Sequence, residues 1–239
     1  MKKLRRARAV FFKELRDYKR NGNVIYAMVI FPLIFLIQPI VELLTVSSGA
    51  SHVLRHEHSL VYMLAIPALV PAVLASYAVV GERLQGTLEP VLTTPVTREE
   101  LLLGKALAAL IPTVVVSYGV FGLFIAVVEL FAHPGIAPAL VQWPDLLAQL
   151  IFTPLLAVWA IWVGMAVSTR CSDPRTAGQL AVFATLPAVA VTSLIAFGVI
   201  PAKLQVALGF GIGLAVLDRV GLRVVSAMFD RERLVSSTR

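Results

Sequence analysis

The chain has 239 residues, 58% of them hydrophobic and 15% charged, with a mean hydropathy of +0.84 and a formal net charge of +7. So apolar a composition cannot cover a soluble fold, and no stretch outside the apolar runs reaches the ~50 residues of an independent domain, so a polytopic membrane protein is predicted. The single cysteine, Cys171, excludes an intramolecular disulfide and a Cys-rich metal site, and basic residues flanking apolar runs suit anionic lipid headgroups better than nucleic acid.

Residues 1–23 open on Lys2, Lys3, Arg5, Arg6 and Arg8. This resembles the charged start of a signal peptide, but the apolar run begins only near Val24 and outlasts a signal h-region of ~7–15 residues. Leu4, Ala7, Phe11, Leu15 and Tyr18 recur at helical spacing with Lys and Arg on the other faces. The pattern predicts an amphipathic interfacial helix. The competing reading is a disordered basic tail; Phe11, Phe12 and Tyr18 favour the helix.

Apolar runs then follow from Val24 to Val46, Leu60 to Val80, Ala106 to Phe131, Leu146 to Ser168 and Gln179 to Ile200. Each meets the ~20 residues needed for a hydrocarbon core of ~30 Å. Backbone groups in lipid must pair within their own segment, and barrel-type alternation is missing, so these runs are helices. Pro32, Pro39, Pro67, Pro71, Pro112, Pro154 and Pro187 inside them are kinks of the sort that packed membrane helices tolerate. A last run, Leu204 to Leu217, would rise only ~21 Å and spans only if it continues past Asp218 and Arg219 to Val225.

Charge decides that case. Lys and Arg crowd the segment before the first run, the connectors after the second and fourth, and the C-terminal segment; the three opposite connectors hold only Arg55 and Lys203. The positive-inside rule then puts both termini in the cytoplasm, which requires an even number of crossings. The expected architecture is an all-α bundle of six spans over residues 24–225, a cytoplasmic connector at 81–105 and a cytoplasmic tail at 226–239.

The connector carries the most specific pattern. Glu82 to Glu89 can form a short helix presenting Leu84 and Leu88, which Pro90 ends. Thr97 and Glu100 have capping-box spacing, so a second helix should begin near Arg98 and run into the third span. Gly81 to Thr87 has the glycine spacing of a phosphate loop but lacks its lysine, and Gly209 to Gly213 lacks the third glycine of a dinucleotide fingerprint. Gly209 and Gly213 instead form a small-xxx-small pair, expected to serve close packing within the bundle.

The order Glu-Arg-x-x-Gly-Thr-Leu-Glu (82–89), Thr-Pro-Val-Thr-Arg-x-Glu (94–100) and Leu-Gly-Lys (103–105) resembles the hallmark of type-two ABC export permeases. The resemblance extends to the basic N-terminal helix, Ser172-Asp173-Pro174-Arg175 and the closing Phe229 to Leu234. It implies a membrane subunit of an ATP-binding-cassette exporter that works as a homo- or heterodimer with separate ATPase subunits. ATP and Mg would then sit on the partner, and this chain would carry no cofactor and no catalytic residue. By the same resemblance, Glu82, Arg83, Thr87, Leu88 and Glu89 form or flank the ATPase contact. An apolar path suits a lipophilic or amphipathic cargo such as a drug, lipid or glycolipid.

Other candidates are weaker. Gln38, Glu42 and Glu129 could line the outer end of a substrate path, although carboxylates near an interface can simply reach headgroup water. His52, His56 and His58, with Glu57, could approach a metal, but no second cluster completes a site and a solvated loop is the better reading. Trp143, Tyr26 and Tyr62 suit interfacial anchoring. An intramembrane enzyme would need a nucleophile–base or metal constellation within the spans, and all four histidines fall near or beyond the outer face. A purely structural subunit of a membrane complex is the remaining alternative.

Overall fold

The computed structural model describes residues 2–45, 58–84, 86, 96–131, 137 and 141–228. Seven α-helices are described: α1 (Lys2–Arg20), α2 (Gly22–Thr45), α3 (Ala65–Leu84), α4 (Arg98–Phe131), α5 (Trp143–Arg170), α6 (Pro174–Ala196) and α7 (Leu204–Met228). A 3-10 turn, Ser59–Leu64, leads into α3. No strand occurs among the described residues. Among the described residues five segments are long and apolar enough to cross a membrane: Val24–Val41, Leu60–Leu84, Glu99–Phe131, Trp143–Arg170 and Pro174–Ala196.

α3 is the axis of the bundle. Nearly all its residues are buried, and it packs most extensively on α5, then on α6, α4 and α2. Small residues allow this. A Cβ on Gly164 of α5 would lie 2.5 Å from the Ala72 carbonyl oxygen and 2.8 Å from the Ala75 Cβ, so α5 can approach α3 this closely only with glycine there. Nearby, the Ser168 hydroxyl accepts hydrogen bonds from the amides of Val79 (2.9 Å) and Val80 (3.1 Å). In contrast α2, α4 and α7 each turn large apolar side chains outward, including Ile37, Val115 and Ile212, as a lipid-facing surface requires.

The prolines sit inside continuous helices at 32, 39, 71, 112, 154 and 187. Pro67 instead lies in the first turn of α3, where a missing N–H breaks no helical bond. α6 stops at Ala196, short of the expected Ile200, through a closure built on Gly198 at φ +69°. The Gly198 amide donates to Ile195 (3.0 Å) and the Val199 amide to Leu194 (2.9 Å), the pairing of a Schellman motif.

α7 packs along α5 from one end of the bundle to the other. Phe210 meets Phe152 with ring centroids 5.4 Å apart, and near the far end Gly221 lies against Trp162 and Met228 against Thr169. Gly209 and Gly213 face open space, contrary to the expectation of internal packing; Gly211 and Gly221, one face round, make the helix contact instead. Tyr62 is half-buried and packs its ring between Phe35 (5.1 Å) and Phe197 (5.9 Å).

Candidate functional site

The end of the bundle that gathers α1, the end of α3 and the start of α4 holds a buried charge cluster. Thr97 and Glu100 form the expected capping box: the Thr97 amide donates to Glu100 Oε2 (2.8 Å) and the Glu100 amide to Thr97 Oγ1 (3.4 Å). α4 therefore begins at Arg98, and its second turn delivers Lys105 into the interior. Lys105 is 0% exposed. Its Nζ donates to Glu14 Oε1 of α1 (2.7 Å) and the Ala78 carbonyl of α3 (2.8 Å), and lies 3.0 Å from Glu82 Oε1. Lys13 closes the cluster from α1, with Nζ 2.6 Å from Glu82 Oε1, 3.3 Å from Glu14 Oε1 and 3.3 Å from Asp17.

An ammonium or carboxylate taken out of water is tolerated only when opposite charges and hydrogen bonds surround it. Burial opposes the charge on Lys13, but Glu14, Glu82 and Asp17 outweigh it and hold its pKa above the ordinary lysine value. Burial likewise opposes the Glu14 carboxylate, and Lys105 and Lys13 outweigh it, so its pKa lies below the ordinary range. Tyr18 stays a neutral phenol, pushed up first by burial and then by Glu14, Glu82 and Asp17. α1 is thereby bolted to α3 and α4 rather than only resting on lipid. Gly104 permits the approach, since a Cβ there would meet the Val10 Cβ at 2.6 Å and the Ala7 oxygen at 2.8 Å.

The connector residues divide. Glu82 and Arg83 belong to the last turn of α3 and not to a separate short helix; the Gly86 amide donates to the Arg83 carbonyl (3.2 Å) with Gly86 at φ +64°. Glu82 is buried in the cluster, whereas Arg83 is half-buried and donates from Nη1 to the Cys171 carbonyl (3.3 Å). Leu84 is 65% exposed. Thr87, Leu88 and Glu89 lie outside the described residues.

Beside the cluster, a groove of about 740 Å3 runs between α2, α3 and α6. Its walls include Tyr26, Phe31, Tyr77, Arg175, Gln179 and Phe183. Gln38 and Glu129 do not line it. Gln38 is half-buried farther along α2, Glu129 is exposed on α4, and the Glu42 side chain lies outside the described residues.

At the opposite end, His58 is held by the bundle. Its Nδ1 lies 2.7 Å from Oδ1 of buried Asp145, and its amide donates to the Ala196 carbonyl (3.1 Å). The hydrogen bond to Asp145 raises the His58 pKa, against the effect of burial. Beside it Gln149 Nε2 donates to the Leu60 carbonyl (2.7 Å). His52, His56 and Glu57 lie outside the described residues, and no group of three metal-type ligands occurs among those described.

The sequence pointed to Glu82 as forming or flanking the ATPase contact, took Lys105 only as part of the family pattern, and gave Glu14 no role. The available signal was Glu14 itself, which breaks the apolar stripe of α1 between Phe11 and Tyr18, and Lys105, seven residues beyond a well-formed helix start.

No curated protein shows significant similarity to the chain. Residues 8–223 match the family described as ABC-2 family transporter protein. That span runs from α1 through α7 and takes in both the charge cluster and the groove. The family is a membrane component of transport, not itself catalytic, and membership implies association with an ABC ATPase subunit. An all-helical, multi-pass chain matched over nearly its whole length belongs to the ABC-2 transporter family, as a permease.

Proposed function

We propose that this permease is the membrane subunit of an ATP-binding-cassette exporter, crossing the membrane six times with both termini in the cytoplasm. It pairs with a second permease chain to enclose a path for a lipophilic or amphipathic cargo, and separate ATPase subunits drive it through residues 81–105. The observation that carries the coupling is the charge cluster. Glu82 stands at the start of the segment that would meet the ATPase, and its carboxylate is tied to Lys13 of α1 and Lys105 of α4. A push on that segment therefore reaches three helices through one buried carboxylate instead of bending a loose connector. On this reading Glu82 and Arg83 flank the contact from inside, while Leu84, Thr87, Leu88 and Glu89 offer the surface. The six-crossing count is supported by α7, whose two ends lie at opposite ends of the bundle.

The test is purification with bound partners, followed by ATP hydrolysis in proteoliposomes. Leu84→Asp and Glu89→Arg should leave the permease folded and inserted but lower partner-dependent hydrolysis by roughly tenfold or more, the scale of a lost interface anchor. Normal assembly and hydrolysis in both variants would remove the coupling contact from this segment. Full transport with no hydrolysing companion would remove the proposal itself.

A further inference from the structure

The geometry points to a binding site for an acidic amphiphile in the groove between α2, α3 and α6, with its acid group at Arg175 and its apolar part along Phe31, Val182 and Phe183. The groove is graded along its length. Its foot is at the first turn of α6, where Arg175 and Gln179 stand, and it climbs to Phe183, about 12 Å farther along the helix axis from Arg175. Over that rise the lining passes from a guanidinium and an amide to aliphatic and aromatic side chains. Tyr26 of α2 and Tyr77 of α3 also line the walls.

Arg175 sets the sign of the ligand, because it is the one charged side chain among the described lining residues. The nearest carboxylate on its own helix, Asp173, is turned to the helix end: it accepts from the Thr176 amide (2.8 Å) and hydroxyl (3.0 Å). Asp173 also attracts Arg175, but it is fully exposed to solvent and leaves the planar guanidinium able to take a phosphate or carboxylate through two N–H groups. Size sets the class. About 740 Å3 lies within the ~300–1,000 Å3 range of small-molecule sites, enough for a headgroup with part of one chain or a ring system, and too little for a polymer. Tyr26 and Phe183 are each 66% exposed, so the groove opens sideways and a ligand can arrive from within a leaflet.

The occupant is therefore membrane-borne. Its role as cargo rests on the transport reading, but its binding does not, and an equilibrium measurement separates the two. The full-length protein, purified in a non-ionic detergent, is titrated with phosphatidylglycerol or phosphatidylcholine of identical chains, and retained lipid is counted by native mass spectrometry. The wild type should favour phosphatidylglycerol by about fivefold, as expected for one basic side chain against an anionic headgroup. Arg175→Gln should bring that ratio to about one, Arg175→Lys should keep most of it, and Val182→Trp should weaken both lipids by roughly tenfold by filling the apolar wall. Arg175 is exposed, so its substitution leaves folding intact even if Val182→Trp does not.

An unchanged lipid preference in Arg175→Gln would overturn the site. So would glycerol 3-phosphate competing as well as the intact lipid, which would leave an anion site with no use for the groove. Val182→Trp changing the oligomeric state without changing lipid retention would assign the groove to a second copy of the chain, and would also overturn it. Loss of transport with binding intact would count against the transport reading alone.

Discussion

Lys105 has no contact with solvent, and two carboxylates and one carbonyl stand in for water around its ammonium. Removing one partner of a buried ionic group typically costs about 3–5 kcal/mol, because the remaining charge is stranded. Lys105→Met should therefore destabilise the purified protein by ~3–5 kcal/mol in denaturant unfolding, and adding Glu14→Gln should recover part of the loss. A change below ~1 kcal/mol would mean that the cluster is already wet. The two ends of the bundle should also respond in different pH windows. The folded pKa of Glu14 is depressed, so its contribution is present above its ordinary value of 4.5 and fades only as pH falls through the lower folded value. The folded pKa of Lys13 is raised, so its contribution is complete below 10.5 and fades only above that. His58 has a raised pKa as well, but it starts from 6.5: its bond to Asp145 contributes fully below that value and is lost as pH rises through the raised one. Hydrogen exchange followed upward from pH 6, corrected for intrinsic rates, should speed up around residues 58–64 while α1 stays unchanged. His58→Gln should abolish that pH dependence, and equal responses at both ends would contradict the assignment.

Two helix contacts depend on glycine, and a third glycine serves as their control. Valine at Gly104 would force α1 away from α4, and at Gly164 would force α5 away from α3, because the obstructing atoms include the Ala7 and Ala72 carbonyl oxygens. Overpacking of a tight interior typically costs ~1–3 kcal/mol, and each variant should lose at least that in thermal unfolding. Gly178→Ala should be nearly neutral, since the new Cβ would meet only Ser76 Oγ at an ordinary 3.6 Å. Helices of this kind were legible in the sequence where a local signal made them. Thr97 and Glu100 announce the start of α4, and lipid-length apolar runs the bodies of the helices, whereas α6 begins at Pro174, ahead of the apolar run from Gln179. What remained hidden depends on partners distant in the chain. Glu82 reads as a surface carboxylate because the lysines that bury it lie 69 residues before it, on α1, and on the far side of the connector. The open face at Gly209 and Gly213 was equally hidden: spacing identifies a smooth helix surface, but only the position of α5 decides which smooth surface is covered.

At the scale of the whole molecule the unsettled quantity is parity, and α7 controls it. Among the described residues five segments have the length and apolarity of spans, whereas α7 carries Asp218, Arg219 and Arg223 in its second half. Its 25 residues rise about 37 Å, enough to cross a hydrocarbon core of ~30 Å when Asp218 and Arg219, about 21 Å from its start, reach out to the interface. The packing along α5, from Phe210 against Phe152 to Met228 beside Thr169, runs the same length. A helix lying flat on the surface would touch α5 at one end only. Cysteine accessibility reads the difference directly. In a Cys171→Ser background, Ala202→Cys precedes α7 and Ala227→Cys ends it, and both positions are exposed. A membrane-impermeant maleimide should label residue 202 in intact cells and residue 227 only after permeabilisation, with native Cys171 behaving as 227 does. If 202 and 227 react from the same side, α7 does not cross and the chain ends opposite to the proposal. If Cys171 also reacts in intact cells, the inside and outside assignments exchange, and the groove with its Arg175 moves to the outer leaflet.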